Sequence, residues 1–236
     1  MHKFIAQMIG RNEAQRYLRD VLEHLTPQVD EIVFTDDASQ DATPDLFAEF
    51  GAHVYRNPSP LFSVHEGRLR QSAWENLALH ARTGDWILSI DCDEKLYATD
   101  PDQPLSSLLQ TTQYHALEVM FYHMWNPEHY RADKGWAPSP QPRIFRYADH
   151  TVFADSALAC GSGPEYVRLM ELTGKVRRGT GLVMQHLGYM REEDRLAKHE
   201  LYMRIDGGKY HVLDHIQSIA DPHPTLVKWQ PLRSVR

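Results

Sequence analysis

The chain is poor in cysteine and has no long apolar run. Cys92 and Cys160 are the only cysteines and do not form a CxxC pair, which excludes a disulfide framework and favours a reducing compartment. The apolar runs are far shorter than the ~20 residues of a membrane-spanning helix, and the run before Arg11 is too short for a signal-peptide core. These absences predict a cytoplasmic protein without a transmembrane segment and leave peripheral membrane contact open.

The chain also lacks an excess of basic residues. Its formal net charge is −7, whereas nucleic-acid-binding domains usually carry a basic surface. A nucleic-acid ligand is therefore disfavoured, although a local basic patch is compatible with an acidic total. The 236 residues are 42% hydrophobic, which is enough for the core of one large α/β domain.

Apolar runs of strand length alternate with helical stripes over the first ninety residues. The runs lie at 3–9, 31–34, 51–55 and 86–90, and the stripes lie at 13–25, 44–50 and 69–81. This alternation predicts an α/β fold with a doubly wound sheet and helices on both faces. Ligands of such sheets bind at the carboxyl ends of the strands, where both acidic clusters of the chain fall.

The second half has a less regular pattern. It predicts helices at 105–109 and 191–206, strands at 116–122 and 181–185, and paired strands at 143–147 and 151–154. Residues 122–142 are rich in aromatic residues and proline and predict a long loop, a kind of segment that is usually functional when it is ordered. We predict one domain at 1–206, divided into a first half (1–95) and a second half (96–190), followed by a C-terminal tail at 207–236.

Two acidic clusters follow strands of this sheet. Asp91-Cys92-Asp93 comes after the apolar run at 86–90, and Asp36-Asp37 comes after the run at 31–34. Two carboxylates at one strand end are suitable oxygen ligands for Mg²⁺ or Mn²⁺, which commonly also bind phosphate oxygens of a substrate. An acidic turn facing water is the alternative for either cluster alone, and the presence of both favours a site.

Three blocks of the first 95 residues resemble the family 2 glycosyltransferases of the GT-A fold. The blocks are Ile9–Glu13, with Ala14 in place of the family's second glutamate, Asp30–Thr43, and Asn76–Glu94. They occur in the family's order and at its spacing. The resemblance implies a Rossmann-like, mixed and doubly wound sheet, here with a C-terminal helical extension.

The resemblance also implies a nucleoside-diphosphate-sugar donor, with a UDP-linked sugar favoured, and makes 1–95 the nucleotide-sugar-binding half. It further implies a divalent metal, Mn²⁺ or Mg²⁺, and makes 96–190 the acceptor and metal half. Asp93 would bind the metal, and Asp91 would contact the metal or the ribose. Such a cation neutralises the charge that develops on the departing diphosphate. The residues implied to bind the nucleotide sugar are Arg11, Glu13, Asp36, Asp37, Arg70 and Asp91.

The second half resembles most the subgroup that extends lipopolysaccharide cores and related envelope glycans. Arg143–Arg146 (RIFR) and His186–Tyr189 (HLGY) carry this resemblance, which implies that His186 is a further metal ligand. An inverting transfer also needs a general base to take the proton of the acceptor hydroxyl. Glu165 and Asp155 lie in the interval where the subgroup places that base, although Pro164 stands where the subgroup has histidine.

The acceptor is predicted to be a hydroxyl compound, but its class stays open. A glycan, a lipid-linked sugar, a protein or a modified nucleobase would each supply the hydroxyl. Trp125, Tyr130 and Trp136 in the segment 122–142 are candidates for stacking on an acceptor sugar, and packing in the core is the alternative role for their rings.

Three other functions are compatible with parts of the pattern. A haloacid-dehalogenase-like phosphatase also has a strand ending in D-x-D, but it normally continues with Thr or Val two residues later, where this chain has Lys95. A sugar nucleotidyltransferase has a glycine-rich loop after its first strand, and the segment Gly10–Glu13 has one glycine. A non-catalytic nucleotide-sugar-binding module would keep the acidic clusters without a working base.

Overall fold

A computed structural model describes residues 2–99, 105–149, 151–158, 161–230 and 233–234. Its first half contains four parallel strands, β1 (Phe4–Gly10), β2 (Glu31–Asp36), β3 (His53–Arg56) and β4 (Trp86–Ser89), in the spatial order β3-β2-β1-β4. The helices between them are α1 (Leu18–Leu25), α2 (Thr43–Glu49) and α3 (Glu66–Leu77). Parallel strands joined by helices confirm the predicted α/β class.

Alternate residues of β1 point to opposite faces of the sheet, and each face is covered by a helix. Met8 packs in the cluster that contains Leu18 and Leu22 of α1, whereas Ile5 packs in the cluster that contains Trp74 of α3. Because both faces are apolar, β1 and its neighbours are buried. The polar segments that follow their last residues therefore emerge together at one edge of the sheet.

The second half continues the same sheet. Its strands are β5 (Glu94–Ala98), β6 (Ala116–Asn126), β7 (His129–Arg131), β8 (Ser139–Arg146), β9 (Val176–Arg177), β10 (Leu182–His186), β11 (Leu226–Lys228) and β12 (Arg233–Ser234). Its helices are α4 (Leu105–Thr111), α5 (Glu165–Leu172), α6 (Glu192–Ile205) and α7 (Leu213–Ser218). Beyond β4 the order is β8-β6-β10-β5-β12, and β8 is antiparallel to both of its neighbours. The sheet is therefore mixed, as predicted.

The predicted loop at 122–142 is wrong, because most of this segment is strand. β6 runs to Asn126, β7 turns back against it, and β8 begins at Ser139. Pro140 and Pro142 suggested a loop, since proline cannot donate to a ladder. In this segment, however, β8 pairs with β6 alone, because its pairing with β4 begins only at Ile144. Proline is tolerated at such a locally unpaired edge.

Other predicted elements differ from the structure in extent or kind. The predicted strand at 151–154 has no regular structure, α1 begins at Leu18 rather than at 13, and α3 lies three to four residues before its predicted position. β5 and α5 were not predicted. In the segment 207–236, β11 pairs with β7 and β12 pairs with β5, so these described strands are joined to the domain.

Within the described ranges, no helix combines the length and the apolar character that crossing a bilayer requires. Cys92 is a buried free thiol, and Cys160 lies outside the described residues.

Candidate functional site

A cleft of about 770 Å³ opens at the carboxyl ends of β1, β2 and β4 and is closed on its other side by α6. Residues from both halves of the chain form its walls. Seven of the residues that the sequence predicted for the site line it, namely Arg11, Glu13, Asp37, Arg70, Asp91, Asp93 and His186. The predicted donor and metal residues therefore converge at one place, with the exception of Asp36.

The loops after β1 and β2 hold each other in place. The Asn12 N–H donates to Ser39 Oγ at 2.9 Å, and the Gln40 N–H donates to Asn12 Oδ1 at 2.8 Å. Asn12 and Ala38 have left-handed backbones, with φ of 57° and 61°. Asparagine tolerates this conformation, whereas alanine holds it at a cost. This bracing positions the loop that carries Arg11 and Glu13.

Asp36 and Asp37 have different surroundings. Asp36 is fully buried, accepts from the Ser39 N–H at 3.0 Å and from Arg56 Nε at 3.1 Å, and does not line the cleft. Asp37 lines the cleft and accepts from the backbone N–H groups of Leu61 (2.7 Å) and Phe62 (3.0 Å). Asp36 therefore shapes the loop after β2, while Asp37 holds a wall segment and faces the space that a ligand would fill.

The two carboxylates of the Asp91-Cys92-Asp93 turn also differ. The Asp91 side chain is 42% exposed, whereas that of Asp93 is 10% exposed. Asp93 lies 3.2 Å from Lys198 Nζ and 3.5 Å from His186 Nε2. Burial alone would raise the pKa of Asp93, but Lys198 and His186 outweigh it and hold that pKa well below its usual range. Asp93 is therefore an ionised carboxylate within a ring of cationic and imidazole groups.

Glu94 and Arg143 stabilise the backbone of the Asp91-Cys92-Asp93 turn. Glu94 accepts from the Asp91 N–H at 2.8 Å and forms a buried ion pair with Arg143. Burial raises the pKa of Glu94, while the Arg143 guanidinium lowers it. Arg143 also lies 3.6 Å from Asp91, so a residue of the RIFR strand reaches the exposed carboxylate.

His186 is oriented by its neighbour on β6. In the parallel register His186 pairs with His123, and their Nδ1 atoms are 2.9 Å apart. Burial, followed by the neighbouring His186, lowers the pKa of His123 well below its usual value, so His123 stays neutral. One ring donates to the other through Nδ1, which leaves His186 Nε2 directed at Asp93. Metal-ligating histidines are commonly oriented by such a contact at the second nitrogen.

Gly188 has no side chain, which allows Asp93, Lys198 and His186 to pack closely around its Cα. A Cβ at this position would lie inside van der Waals contact of Asp93 Oδ2 and Lys198 Nζ and 2.9 Å from His186 Nε2. The Asp93 carboxylate and the His186 imidazole that meet here are a donor set that suits Mn²⁺ and related divalent cations, and in this structure the Lys198 ammonium is the cation paired with Asp93. Ligand atoms of Asp93, Glu94 and His186 lie within 4.8 Å of one another. These residues fit a divalent metal.

Other charged residues in the cleft are paired with each other. Arg16 Nη1 donates to both carboxylate oxygens of Glu13, at 3.0 and 2.9 Å, and Arg16 Nε donates to Asp194 at 3.2 Å. Burial raises the pKa of Glu13 to about 7 against the opposing effect of Arg16. Arg70 Nε donates to Glu66 at 2.7 Å. The Arg16 pairs join the loop after β1 to α6. Arg16 and Arg70 both place guanidinium groups along the cleft wall.

The two candidates for the general base do not line the cleft. Glu165 is the first residue of α5, and Asp155 is exposed and lies 3.1 Å from His65 Nε2. Leu158 and Gly161, which lie between them in the sequence, do line it. Both candidates therefore lie close in the sequence to two residues of the cleft wall.

The three candidates for acceptor binding also lie away from the cleft wall. Trp125 and Trp136 are 6% and 1% exposed and pack with Tyr189 and Ile219 in an aromatic cluster beneath the cleft. Tyr130 is half-buried between Tyr122 and Trp229. The structure gives the two tryptophans a packing role, because almost none of either ring is left for a sugar to stack on.

Sequence reasoning missed several residues of the site, among them Glu94, Arg143, Gly188 and Lys198. Glu94, Arg143 and Gly188 lie inside motifs that were recognised, so their positions were marked although their roles were not. Lys198 lies in a charged helix whose pattern does not distinguish it from its neighbours. Only its place in the fold, beside Asp93, identifies it.

Comparison with known proteins supports the motif analysis. Residues 8–160 match the family described as glycosyl transferase family 2. A TPR repeat-containing protein of Synechococcus elongatus is 39% identical over 90 residues, which are 38% of this chain and 20% of that protein. The match spans a fifth of that relative's length.

Solved structures share the fold. S. aureus TarS aligns with a TM-score of 0.54 and 16% identity, over 92% of this chain and 69% of that chain, and its complex with UDP aligns with a TM-score of 0.51. The mannosyltransferase PcManGT from Pyrobaculum calidifontis, in complex with GDP-Man and Mn²⁺, aligns with a TM-score of 0.50 and 12% identity, over 84% of this chain and 60% of that chain. At these identities the likeness establishes the Rossmann-like GT-A fold.

Proposed function

The chain belongs to glycosyl transferase family 2, and we propose that it transfers a sugar from a nucleoside-diphosphate-sugar donor to an acceptor hydroxyl with the help of a divalent cation. The observation that carries this proposal is the convergence of Asp93 and His186 in one cleft, beside Gly188, which has no side chain. Asp93 comes from the donor half and His186 from the second half, so both halves are needed to form the site.

Asp93 and His186 would hold the cation, with Asp91 beside them as the more exposed carboxylate. When bound, the cation supplies positive charge to the diphosphate as it departs. Lys198 would contribute further positive charge, because its ammonium lies at the same place and its pKa is raised by Asp93 against the effect of burial. Fixed charges in a partly closed cleft stabilise such a developing anion more effectively than water does.

The loops after β1 and β2 would bind the donor. Asp37 faces the cleft, Arg11 is exposed at its mouth, and Arg70 lies along the wall. A carboxylate can accept from a base imide or a ribose hydroxyl, while a guanidinium suits phosphate oxygens. The nucleotides named in the TarS and PcManGT complexes, UDP and GDP-Man, support a nucleotide at this edge of the sheet. We favour a UDP-linked donor.

The acceptor side would lie beside Leu158 and Gly161, which line the cleft. Single displacement with inversion at the anomeric carbon requires a base on that side, and Asp155 and Glu165 lie on either side of these two residues in the sequence. We assign the base to Glu165, because it begins α5 behind the cleft-lining Gly161, whereas the Asp155 side chain is exposed and paired with His65. The Glu165 side chain would have to turn toward the cleft to reach an acceptor hydroxyl, because it does not line the cleft in this structure.

Donor hydrolysis tests this proposal without knowledge of the acceptor. The protein is incubated with UDP-linked and GDP-linked sugars, with Mn²⁺ or with EDTA, and released nucleoside diphosphate is measured. We expect slow release from one donor that depends on Mn²⁺ and is lost in Asp93→Asn but retained in the exposed control Asp45→Asn. Binding of a donor without any hydrolysis or transfer would instead support a non-catalytic binding module. Release of phosphate from phosphomonoesters would support the phosphatase alternative.

A further inference from the structure

A second group of metal-binding side chains lies at the opposite edge of the sheet from the cleft. Glu31 is the first residue of β2, His53 is the first residue of β3, and His80 follows the end of α3. One ligand atom from each lies within 4.8 Å of the other two. None of the three lines the cleft, which is at the other end of these strands.

Strand register brings these residues together. Val33 of β2 pairs with His53 of β3, and Glu31 precedes Val33 by two residues, so all three side chains share one face of the sheet. Val33 packs against Trp74 of α3, which identifies this face as the one that α3 covers. The turn after α3 then brings His80 onto the same face.

The geometry suits a shared cation better than direct pairing. The Glu31 Oε2 atom lies 3.7 Å from His53 Nε2 and 3.8 Å from His80 Nδ1, and the two imidazole rings stack with centroids 3.9 Å apart. Both separations exceed hydrogen-bonding distance. Ligand atoms around a tetrahedral zinc ion, each ~2.0–2.2 Å from the metal, lie about 3.3–3.5 Å from one another. A contraction of a few tenths of an ångström would bring the two measured separations to that value, and one imidazole would also have to turn out of the stack, because stacked rings hold their in-plane lone pairs nearly parallel.

Two neighbours set the chemical state of the ligands. Tyr55 Oη lies 2.7 Å from His80 Nε2, so a proton on Nε2 can be donated to the phenol oxygen, which leaves the Nδ1 lone pair facing Glu31. Lys3 Nζ lies 2.5 Å from Glu31 Oε1 and leaves Oε2 for a metal.

We propose that Glu31, His53 and His80 form a second divalent-metal site, which binds a transition metal such as Zn²⁺. Two imidazoles and one carboxylate are a donor set that zinc accepts, with water completing the coordination. The bound ion would join the sheet-edge strand β3 to β2 and to the end of α3. It would act on stability rather than on transfer, because the site is at the far end of the strands from Asp93.

The test measures zinc binding in the Asp93→Asn background, which removes a ligand from the cleft. Calorimetry with ZnCl₂ at neutral pH is expected to show one equivalent bound, and His53→Gln or His80→Gln in this background should weaken binding by at least about tenfold. His115→Gln, at an exposed histidine outside the group, serves as the control and should leave binding unchanged. Zinc should also raise the melting temperature of Asp93→Asn, but not of the His53 and His80 variants.

Lys3→Met provides a variant with the opposite expected effect. It removes a cation that competes for Glu31 and should tighten zinc binding several-fold without removing any ligand. If His80→Gln fails to fold, His53→Gln decides, because the half-exposed His53 side chain is not needed for packing. The proposal is overturned if Asp93→Asn binds no zinc, or if the variants that fold bind zinc as Asp93→Asn does.

Discussion

The two halves of the sheet contribute to the cleft in different ways. The first half supplies short loops after β1, β2 and β4, braced by hydrogen bonds such as that from Asn12 to Ser39, and these loops carry most of the carboxylates. The second half supplies side chains from regular elements, with His186 at the end of β10 and Lys198 within α6. The carboxylate side of the proposed metal site is thus built on braced loops, and its imidazole and ammonium side on a strand and a helix. The two sides meet at Asp93.

Removal of the Asp93 carboxylate, where the two sides meet, should have the largest effect on transfer. We expect Asp93→Asn to lower transfer by about 10³-fold or more, because the charge that opposes the developing diphosphate is no longer held. Asp91→Asn should also weaken donor binding. The measurement is the rate of transfer as a function of Mn²⁺ concentration, with circular dichroism as the control for folding. Near-wild-type, metal-stimulated transfer by Asp93→Asn would contradict the role of the meeting point.

The next test concerns the general base. It determines whether the second half also supplies an acidic catalytic group. Glu165→Gln should lower transfer by about 10²-fold, the lower end of the range for a general base. The Glu165 side chain does not line the cleft in this structure and would have to turn to reach the acceptor hydroxyl. Nucleotide binding should be unchanged. Asp155→Asn is the matched variant, and loss of transfer in that variant alone would move the base to Asp155.

Substitution of Gly188 tests whether the second half has to leave out a side chain beside Asp93 in addition to supplying ligands. Gly188→Ala should reduce metal-stimulated transfer by about 10²-fold, since an added Cβ would displace Asp93 or Lys198, and displacements of this size are costly in active sites. Mn²⁺ affinity should fall in parallel. Gly163→Ala is the control, because the nearest atoms to a Cβ there are 3.4 Å away. Equal activity of the two variants would argue against a cation beside Gly188.

Asp37 and Asp36 allow two roles within the first half to be separated, namely donor binding and support of the loop after β2. Asp37→Ala should raise the donor KM by roughly tenfold with a smaller change in kcat, as expected for a contact made equally in the ground and transition states. Asp36→Ala should instead lower the melting temperature, because it leaves the Ser39 N–H and Arg56 without their buried acceptor. Donor titrations and thermal melts of both variants separate these effects. Unchanged donor affinity in the Asp37 variant would exclude it from the donor site.

The smallest expected effect on transfer comes from the aromatic cluster of the second half. Trp136→Ala should lower the free energy of unfolding by ~3–5 kcal/mol, as other deletions of buried aromatic rings do, while kcat per folded molecule changes little. Tyr130→Ala should cost less stability, because Tyr130 is only half-buried. A loss of acceptor transfer that spares donor hydrolysis and stability would restore the acceptor role that the sequence predicted for these rings.

Much of the first half could be predicted from the sequence, because its determinants are local. A buried strand that ends in carboxylates, such as β4 followed by Asp91 and Asp93, has the same pattern in the sequence as in the fold. The motifs at 30–43 and 76–94 added spacing that composition does not contain. His186 was found in the same way, by a motif at a strand end.

The features that were missed depend on distant parts of the chain. Trp136 is a core residue because Tyr189 and Ile219 pack around it, and no pattern near residue 136 shows that. The strand character of 139–142 depends on which neighbour reaches it, since proline is excluded only where both edges are paired. Lys198 became recognisable only when α6 was placed beside Asp93. Sequence patterns show which residues are polar or apolar, but tertiary contacts decide which of them meet.

The position of β10 also has a consequence for the order of folding. β10 lies between β5 and β6, although it follows both in the chain. Neither pairing can form until residue 186 is available, about 90 residues after Asp93 in the sequence. Such non-local pairing is slow because a long loop must close first. On a ribosome the parallel strands of the first half can therefore form early, and the site that joins Asp93 to His186 is among the last parts of the molecule to assemble.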